Sequence, residues 1–229
     1  MKRKITILTI AFLSSMLMYA NVFAAASGRC GDSITWTLDD SGNLTLSGSG
    51  EMWNYGYVTS PFKDYGIKTV TIEYGITSIG DYVFRGCCGM TELTLPNSVT
   101  SIGGNAFEGC SGLTELTLPN SVTSIGYYAF YGCSGLTELT LPDSVASIGD
   151  GAFICCSDLS KITSLAEIPP VCGSGVFDGV NKTNCKLIVP IVSVIAYKQA
   201  EVWNEFSNIK GFSGVEVTVA DKTRKIVVE

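Results

Sequence analysis

The most constraining feature of this sequence is a segment that occurs twice without a change. Residues 91–103 and 114–126 both read TELTLPNSVTSIG, and residues 137–149 read TELTLPDSVASIG. The copies follow one another at a constant, short period. A period of 20–50 residues is typical of solenoids and propellers, but a propeller blade needs about forty residues for its four strands. The short unit therefore predicts a solenoid.

The repeated unit contains two short extended segments and a return arc. Leu116 and Leu118 alternate with polar residues, which is the pattern of a half-buried strand. Pro119 ends this strand because proline cannot donate a ladder hydrogen bond. A second extended segment follows at 122–125, and the arc returns over 127–135. The units of the repeat region 67–190 are 67–89, 90–112, 113–135 and 136–158, an irregular unit 159–183 and a closing strand 184–190.

Stacking of these units turns each recurring position into a column. No unit buries its apolar side alone, so neighbouring copies stabilise each other. We expect the strand leucines to form one set of columns and the phenylalanines of the arc to form a second. The phenylalanines are Phe84, Phe107, Phe130 and Phe153.

Both ends of a solenoid need a cover, because each is an open sheet edge over a bare core. Within 25–66, segments 34–38 and 44–47 flank a turn-rich DDSGN, which predicts a β-hairpin, with Trp36 and Trp53 over the first repeat. Within 191–212, apolar residues at helical spacing predict a short helical cap. They are Val194, Tyr197, Trp203 and Phe206. In residues 213–229 apolar and polar residues alternate, which predicts the start of a further β-module or a truncated tail.

The unit LTELTLPNSVTSIGYYAFYGCSG resembles the BspA-like, or Treponema-type, leucine-rich repeats of bacterial surface proteins. The resemblance covers 67–158, and segments 30–55 and 185–212 resemble the caps that flank such repeats, with Ile191 departing from the closing motif. It implies a β-rich, right-handed solenoid with a parallel strand ladder, an N-terminal hairpin cap and a short C-terminal helical cap. It also implies a secreted or cell-surface protein that binds other proteins, often in adhesion to host matrix or other cells.

Residues 1–24 have the features of a secretory signal peptide. A basic start precedes a mostly apolar run, and Val22 and Ala24 are small residues at cleavage positions. A membrane anchor is the alternative, but the run is short for spanning. After cleavage we expect no integral membrane segment. The chain has 15 Lys and Arg against 21 Asp and Glu, and 1–24 hold three of the basic and none of the acidic residues, which leaves −9. That charge argues against nucleic-acid partners.

The chain contains no histidine. This excludes Ser-His-Asp and Cys-His nucleophilic sites and any metal site that needs imidazole. No phosphate-binding glycine loop is present, since the glycines follow the repeat period. We therefore predict a protein that is not an enzyme and has neither cofactor nor metal.

An acidic column on the outer face of the strands is the first candidate binding surface. Glutamates in register on neighbouring strands destabilise a sheet slightly, so either solvent screens them or a cation or basic partner binds there. Threonines alternate with them along the strand face. The residues are Glu92, Glu115 and Glu138, with Thr94, Thr117 and Thr140.

Tyrosines at the variable positions of the return arc are the second candidate. Repeat copies differ at these positions, and tyrosine is favoured at protein interfaces. Partial burial between coils is the alternative. The residues are Tyr82, Tyr127, Tyr128 and Tyr131.

Nine cysteines in a chain with an export signal invite a disulfide interpretation. Four recur at the repeat period, where a buried free thiol is the favoured alternative because cysteine packs as a small hydrophobe. Cys172 and Cys185 bracket the irregular unit, and we regard them as a candidate disulfide. A zinc cluster is disfavoured because the paired C-x₂-C spacing is lacking. The periodic cysteines are Cys87, Cys110, Cys133 and Cys156.

Two functions remain open at this point. The first is an adhesin-like module that binds an extracellular protein, either host matrix or another cell-surface protein. The second is a structural spacer or carbohydrate-binding surface protein. A solenoid scaffold does not by itself identify its ligand.

Overall fold

The chain is wound into a β-solenoid of about seven turns with parallel strand ladders, which confirms the predicted fold class. The structure is a computed structural model that describes residues 26–216 and 225–228. The predicted signal peptide, 1–24, lies outside the described residues. Equivalent residues of successive copies face each other on neighbouring strands, as Leu116 and Leu139 do. The repeat period is therefore the length of one turn.

The described residues are mainly short strands. The strands are β1 (Ala26–Gly31), β2 (Ile34–Leu38), β3 (Asn43–Gly48), β4 (Gly50–Glu51), β5 (Thr69–Ile72), β6 (Ile76–Ile79), β7 (Glu92–Thr94), β8 (Ser101–Ile102), β9 (Glu115–Thr117), β10 (Ser124–Ile125), β11 (Glu138–Leu141), β12 (Ser147–Ile148), β13 (Lys161–Ser164), β14 (Val171–Cys172), β15 (Lys186–Pro190), β16 (Asn208–Glu216) and β17 (Lys225–Val228). The helix α1 spans Val194–Gln199, between 3-10 turns at Ile191–Ser193 and Trp203–Glu205.

The strands form two ladders on different sides of the solenoid. The short strands make one unbroken sheet, in the order β4-β6-β8-β10-β12-β14. The longer strands of the leucine segments fall into two sheets, β1-β2-β3-β5-β7 and β9-β11-β13-β15-β16-β17. The leucine ladder is therefore interrupted between β7 and β9, although both strands have the sequence ELT.

Turns at fixed positions connect the two ladders. After β9, the carbonyl of Pro119 accepts a hydrogen bond from the Val122 amide at 3.1 Å. After β10, the backbone of Gly126 touches that of the coil below, since an added Cβ would lie 2.6 Å from the carbonyl carbon of Gly103. Only glycine allows that approach, which explains why this position recurs as glycine.

A stack of buried phenylalanines runs through the interior. The rings lie 5.1–5.6 Å apart between centroids, with planes within 16° of parallel. The four predicted members are fully buried, and the stack extends by one ring at each end, Phe62 and Phe177. Leu116, Leu118 and their counterparts in the next coil are also buried, whereas Leu93 and Leu95 are only partly buried.

The N-terminal cap contains the predicted hairpin, β2 and β3, to which β1 adds a third antiparallel strand. Trp36 is buried and packs edge-on against Phe62 at 5.3 Å, so it covers the first ring of the stack. The same prediction for Trp53 is wrong. Its side chain is 42% exposed, and its indole N–H donates to the carboxylate of Asp32 at the cap surface.

The C-terminal cap seals the other end with α1 and the turn after it. Tyr197, Trp203 and Phe206 are buried, and Val194 packs against the same cluster. Trp203 donates its indole N–H to the carbonyl of Pro170 at 2.9 Å. The range 191–212 also contains the start of β16, which continues the ladder parallel to β15 before β17 pairs antiparallel to it. Residues 217–224, which belong to the predicted β-module, lie outside the described residues.

We expect the phenylalanine stack to dominate stability. Phe130→Ala should lower the free energy of unfolding by about 3–5 kcal/mol, because it leaves a cavity between two stacked rings. Its neighbour Tyr131 is exposed, so Tyr131→Ala should cost less than about 1 kcal/mol. Urea unfolding of both variants checks this. Equal losses would contradict the assignment of the stack as the core.

Candidate functional site

The first predicted surface lies on the outer face of the leucine ladder. We call its six residues the Thr/Glu strip. Five are exposed and Thr140 is half-buried. Neighbours align in register, with Glu115 opposite Glu138 and Thr117 opposite Thr140. The residues of the strip are Glu92, Glu115, Glu138, Thr94, Thr117 and Thr140.

One glutamate of the strip, Glu138, already forms an ion pair. Lys161 of β13 lies opposite Glu138, and its Nζ is 2.8 Å from Oε2 of that glutamate. Glu92 faces Thr69 on β5, and among the described strands it has no partner on its other side. The strip is therefore neutralised at its C-terminal end and interrupted at its N-terminal end.

The second predicted surface brings the tyrosines of the arc together. We call Tyr82, Tyr127, Tyr128 and Tyr131 the tyrosine face. Three are between 38% and 46% exposed, and Tyr82 is half-buried. The ring of Tyr128 packs edge-on against those of Tyr127 and Tyr131, with centroids 6.2 and 5.9 Å apart. The predicted alternative, partial burial between coils, applies only to Tyr82 among the four.

Two of these tyrosines have an unusual backbone. Tyr82 and Tyr128 have φ of 58° and 50°, in the left-handed region that costs a non-glycine residue about 1–2 kcal/mol. The same position is Asn105 in one coil and Gly151 in another, which are residue types that tolerate it. The presence of asparagine and glycine at this position in other coils is visible in the sequence, but reasoning from single residues does not use it.

The rings of the tyrosine face rest on glycines of adjacent coils. Gly104 has no room for a Cβ because the ring of Tyr127 covers it, and Gly151 is covered in the same way by Tyr128. Burial, and then the nearby carboxylate of Asp81, raise the pKa of the Tyr127 phenol. The tyrosine face thus combines aromatic rings packed on glycines with a neighbouring carboxylate.

A basic residue, Arg85, follows Tyr82 in the arc, and its backbone amide donates to the carbonyl of Tyr82 at 3.2 Å. The guanidinium of Arg85 lies 3.4 Å from the ring centroid of Tyr57 and 3.1 Å from Oε1 of Glu108. The same glutamate accepts a hydrogen bond from the amide of Asn105. Arg85 is therefore held within the molecule by neighbouring groups.

Within the described parts of the chain, no cluster of three or more His, Cys, Asp or Glu side chains is placed to bind a metal ion. Over 26–216 and 225–228, no helix has the length and apolarity that crossing a membrane requires.

Comparison with known proteins identifies the repeat. The family model described as the BspA type leucine rich repeat region matches residues 59–184 with six copies. The chain belongs to this family. No curated protein matches the chain significantly. The family assignment confirms the resemblance seen in the repeat unit.

The chain is similar to solved structures of bacterial leucine-rich-repeat proteins. The leucine-rich-repeat protein of T. pallidum is 21% identical, with a TM-score of 0.52 over 77% of this chain and 93% of that one. A leucine-rich-repeat protein from Eubacterium ventriosum is 31% identical, with a TM-score of 0.47 over 61% of this chain. This chain covers 44% of the E. ventriosum protein. The T. pallidum structure supports the solenoid fold alone.

The periodic cysteines of this BspA-type protein are buried free thiols, as the favoured alternative predicted. Each Sγ donates to the carbonyl of a phenylalanine in the coil before. Cys110 donates to Phe84 at 3.2 Å and Cys133 to Phe107 at 3.3 Å. Burial raises the pKa of Cys133 to about 12. The column therefore joins adjacent coils without disulfides.

Cys172 and Cys185 are also free thiols in the structure. Cys172 ends β14 in one ladder, and Cys185 directly precedes β15 in the other. Burial raises their pKa values to about 12 and about 11. A disulfide between them stays a prediction.

Thiol labelling checks this account of the cysteines. At pH 8 we expect iodoacetamide to modify Cys88 and Cys155, the two exposed cysteines, well before the other seven. The periodic thiols are buried and stay protonated because their pKa values are raised. Peptide mass spectrometry after timed labelling gives the order, and labelling in urea should also reach the four periodic cysteines. Labelling of Cys133 as fast as Cys88 would contradict the buried column.

The strained backbone of Tyr128 leads to a further prediction. Tyr128→Asn should change the free energy of unfolding by less than about 1 kcal/mol, because relief of the left-handed strain offsets the lost ring contacts. Thermal or urea unfolding beside Phe130→Ala measures it. A loss above about 2 kcal/mol, which is large for an exposed side chain, would mean that the ring of Tyr128 serves the fold.

Proposed function

We propose that this chain is a non-catalytic interaction module of an exported bacterial surface protein. It binds an extracellular protein, such as host matrix or a protein of another cell, through the tyrosine face. Residues 1–24 direct export as a signal peptide. The family assignment supports a surface role for the repeats.

The observation that carries the proposal is the strained, exposed position of Tyr128. Residues with strained backbone cluster at functional sites. Other coils fill the same position with Asn105 or Gly151, so the fold does not require tyrosine there. Exposed tyrosines supply contact area at low entropic cost, which is why they are frequent in interfaces.

The charge of the chain favours a basic ligand. Without residues 1–24 the net charge is −9, and Asp81 lies beside Tyr127. Complementary charge raises the rate of association and selects the partner. We therefore expect the ligand to present a positively charged surface that contains apolar or aromatic side chains.

Binding of the purified chain without residues 1–24 to immobilised extracellular-matrix proteins tests the proposal. We expect saturable binding to at least one of them. The triple variant Tyr127→Ser, Tyr128→Asn and Tyr131→Ser should weaken it by about ten-fold or more, or ~1.4 kcal/mol, because it removes the central aromatic contacts.

The matched control changes the other surface. Glu92→Gln, Glu115→Gln and Glu138→Gln together should leave the affinity within about three-fold, since exposed charges contribute little. Loss of binding in this variant alone would move the site to the Thr/Glu strip. Binding only to a glycan panel would favour the carbohydrate-binding alternative, and no binding to either would favour a spacer.

A further inference from the structure

The interruption of the leucine ladder is a break in strand pairing between two coils of identical strand sequence. We call the space between β7 and β9 the seam. At the steps on either side of it the strands pair in register, as β5 does with β7 and β9 with β11. Between the described strands β7 and β9 this pairing is missing.

Two hydrogen bonds that recur along the ladder are absent at the seam. The amide of Thr91 donates to Lys68 O at 2.8 Å, and that of Thr137 to Thr114 O at 2.8 Å. The hydroxyls of Thr91 and Thr137 donate to the same two carbonyls. Between Thr114 and the carbonyl of Thr91, both within the described range, the equivalent bonds do not form. The seam therefore leaves a backbone acceptor on one side and a donor on the other.

The rest of the interface between these two coils is intact. Ser101 and Ile102 pair with Ser124 and Ile125 in the second ladder. The amide of Phe107 donates to Ala129 O at 2.8 Å behind the phenylalanine stack. The two coils also touch just before the seam, since a Cβ added to Gly112 would lie 2.9 Å from the carbonyl oxygen of Met90. The break in pairing is therefore confined to β7 and β9.

Charge distinguishes the seam from the paired steps of the ladder. Across it, Glu92 and Glu115 occupy equivalent positions, and like charges in register repel. Glu115 also faces Glu138, but that pair is relieved by the ion pair of Glu138 with Lys161 at 2.8 Å. Among the described residues, no cation forms a salt bridge with Glu92 or Glu115.

We propose that the seam takes up one extended strand of a protein partner that carries lysine or arginine at the position between Glu92 and Glu115. Unpaired strand edges bind an added strand through its backbone. The added strand requires β7 and β9 to separate to about 9.6 Å, twice the normal spacing, while the second ladder stays paired. The apolar residues of the added strand would cover Leu93 and Leu95, which are only partly buried.

The chain contains its own template for such a strand. On the far side of β11, residues 160–165 read SKITSL. The Ser160 amide and hydroxyl donate to Thr137 O, and Lys161 pairs with Glu138. Placed beside β7, the same sequence would donate to Thr91 O and bring its lysine to Glu92. The seam therefore selects a strand in which a basic residue is followed by alternating apolar and polar residues.

A labelled peptide with the sequence SKITSL tests the proposal by fluorescence anisotropy with the purified chain. We expect saturable binding. The matched peptide SEITSL should bind about ten-fold or more weakly, because it replaces an attraction to two glutamates with repulsion. No saturable binding of SKITSL, or equal binding of both peptides, would overturn the proposal.

Variants of the chain locate the binding. Glu92→Gln with Glu115→Gln should weaken SKITSL by about three-fold or more, while Glu138→Gln, whose glutamate is already paired, should leave it unchanged. The tyrosine-face triple variant should also bind SKITSL normally, so this site stands or falls separately from the proposed function. An effect of Glu138→Gln equal to that of the double variant would overturn the assignment.

Amide hydrogen exchange tests whether the seam is open in solution. The amide of Thr114 should exchange about ten-fold or more faster than that of Thr137, which has a ladder acceptor. Addition of SKITSL should slow the exchange of Thr114. Equal protection of both amides in the free protein would mean that the ladder is closed, and the proposal would fail.

Discussion

The contact of each coil with the coils before and after it is the interaction on which this structure depends. A single repeat unit has too little apolar surface to fold alone, so it depends on the backbone bonds, stacked rings and thiol donors that recur from coil to coil. Phe130 shows this dependence, since its ring is stacked on both sides at 5.1 and 5.2 Å. The need for identical contacts keeps the interior of the copies alike and leaves variation to the outer positions.

The repeated interior is also the part that sequence predicted well. The period predicted the solenoid, the alternation of leucines predicted the strands, and the recurring phenylalanines predicted the stack. Phe62 is not predicted because it precedes the first predicted unit and lies one residue out of step with the repeat period, yet its ring continues the stack at 5.3 Å from Phe84. The phenylalanine stack therefore extends one coil beyond the repeat that is recognised in the sequence.

The candidate surfaces were only partly predictable, because their properties depend on neighbouring coils. The tyrosines were found as variable positions, but the strain at Tyr128 is visible only beside Asn105 and Gly151 in other coils. Trp53 was placed over the core on its hydrophobicity alone, whereas its bond to Asp32 holds it at the surface. Residues that act through partners distant in sequence are poorly predicted by local pattern.

Exact repetition has different consequences for apolar and for charged positions. Repeating an apolar residue in register strengthens a solenoid, since each copy packs on the next. Repeating a charged residue in register places like charges on adjacent strands, and the cost remains until a cation interrupts the series, as Lys161 does beside Glu138. Glu92 and Glu115 belong to the two copies that are identical, and the ladder is open between them. Variation between copies accounts for the tyrosine face, and the seam lies between the two copies that do not vary.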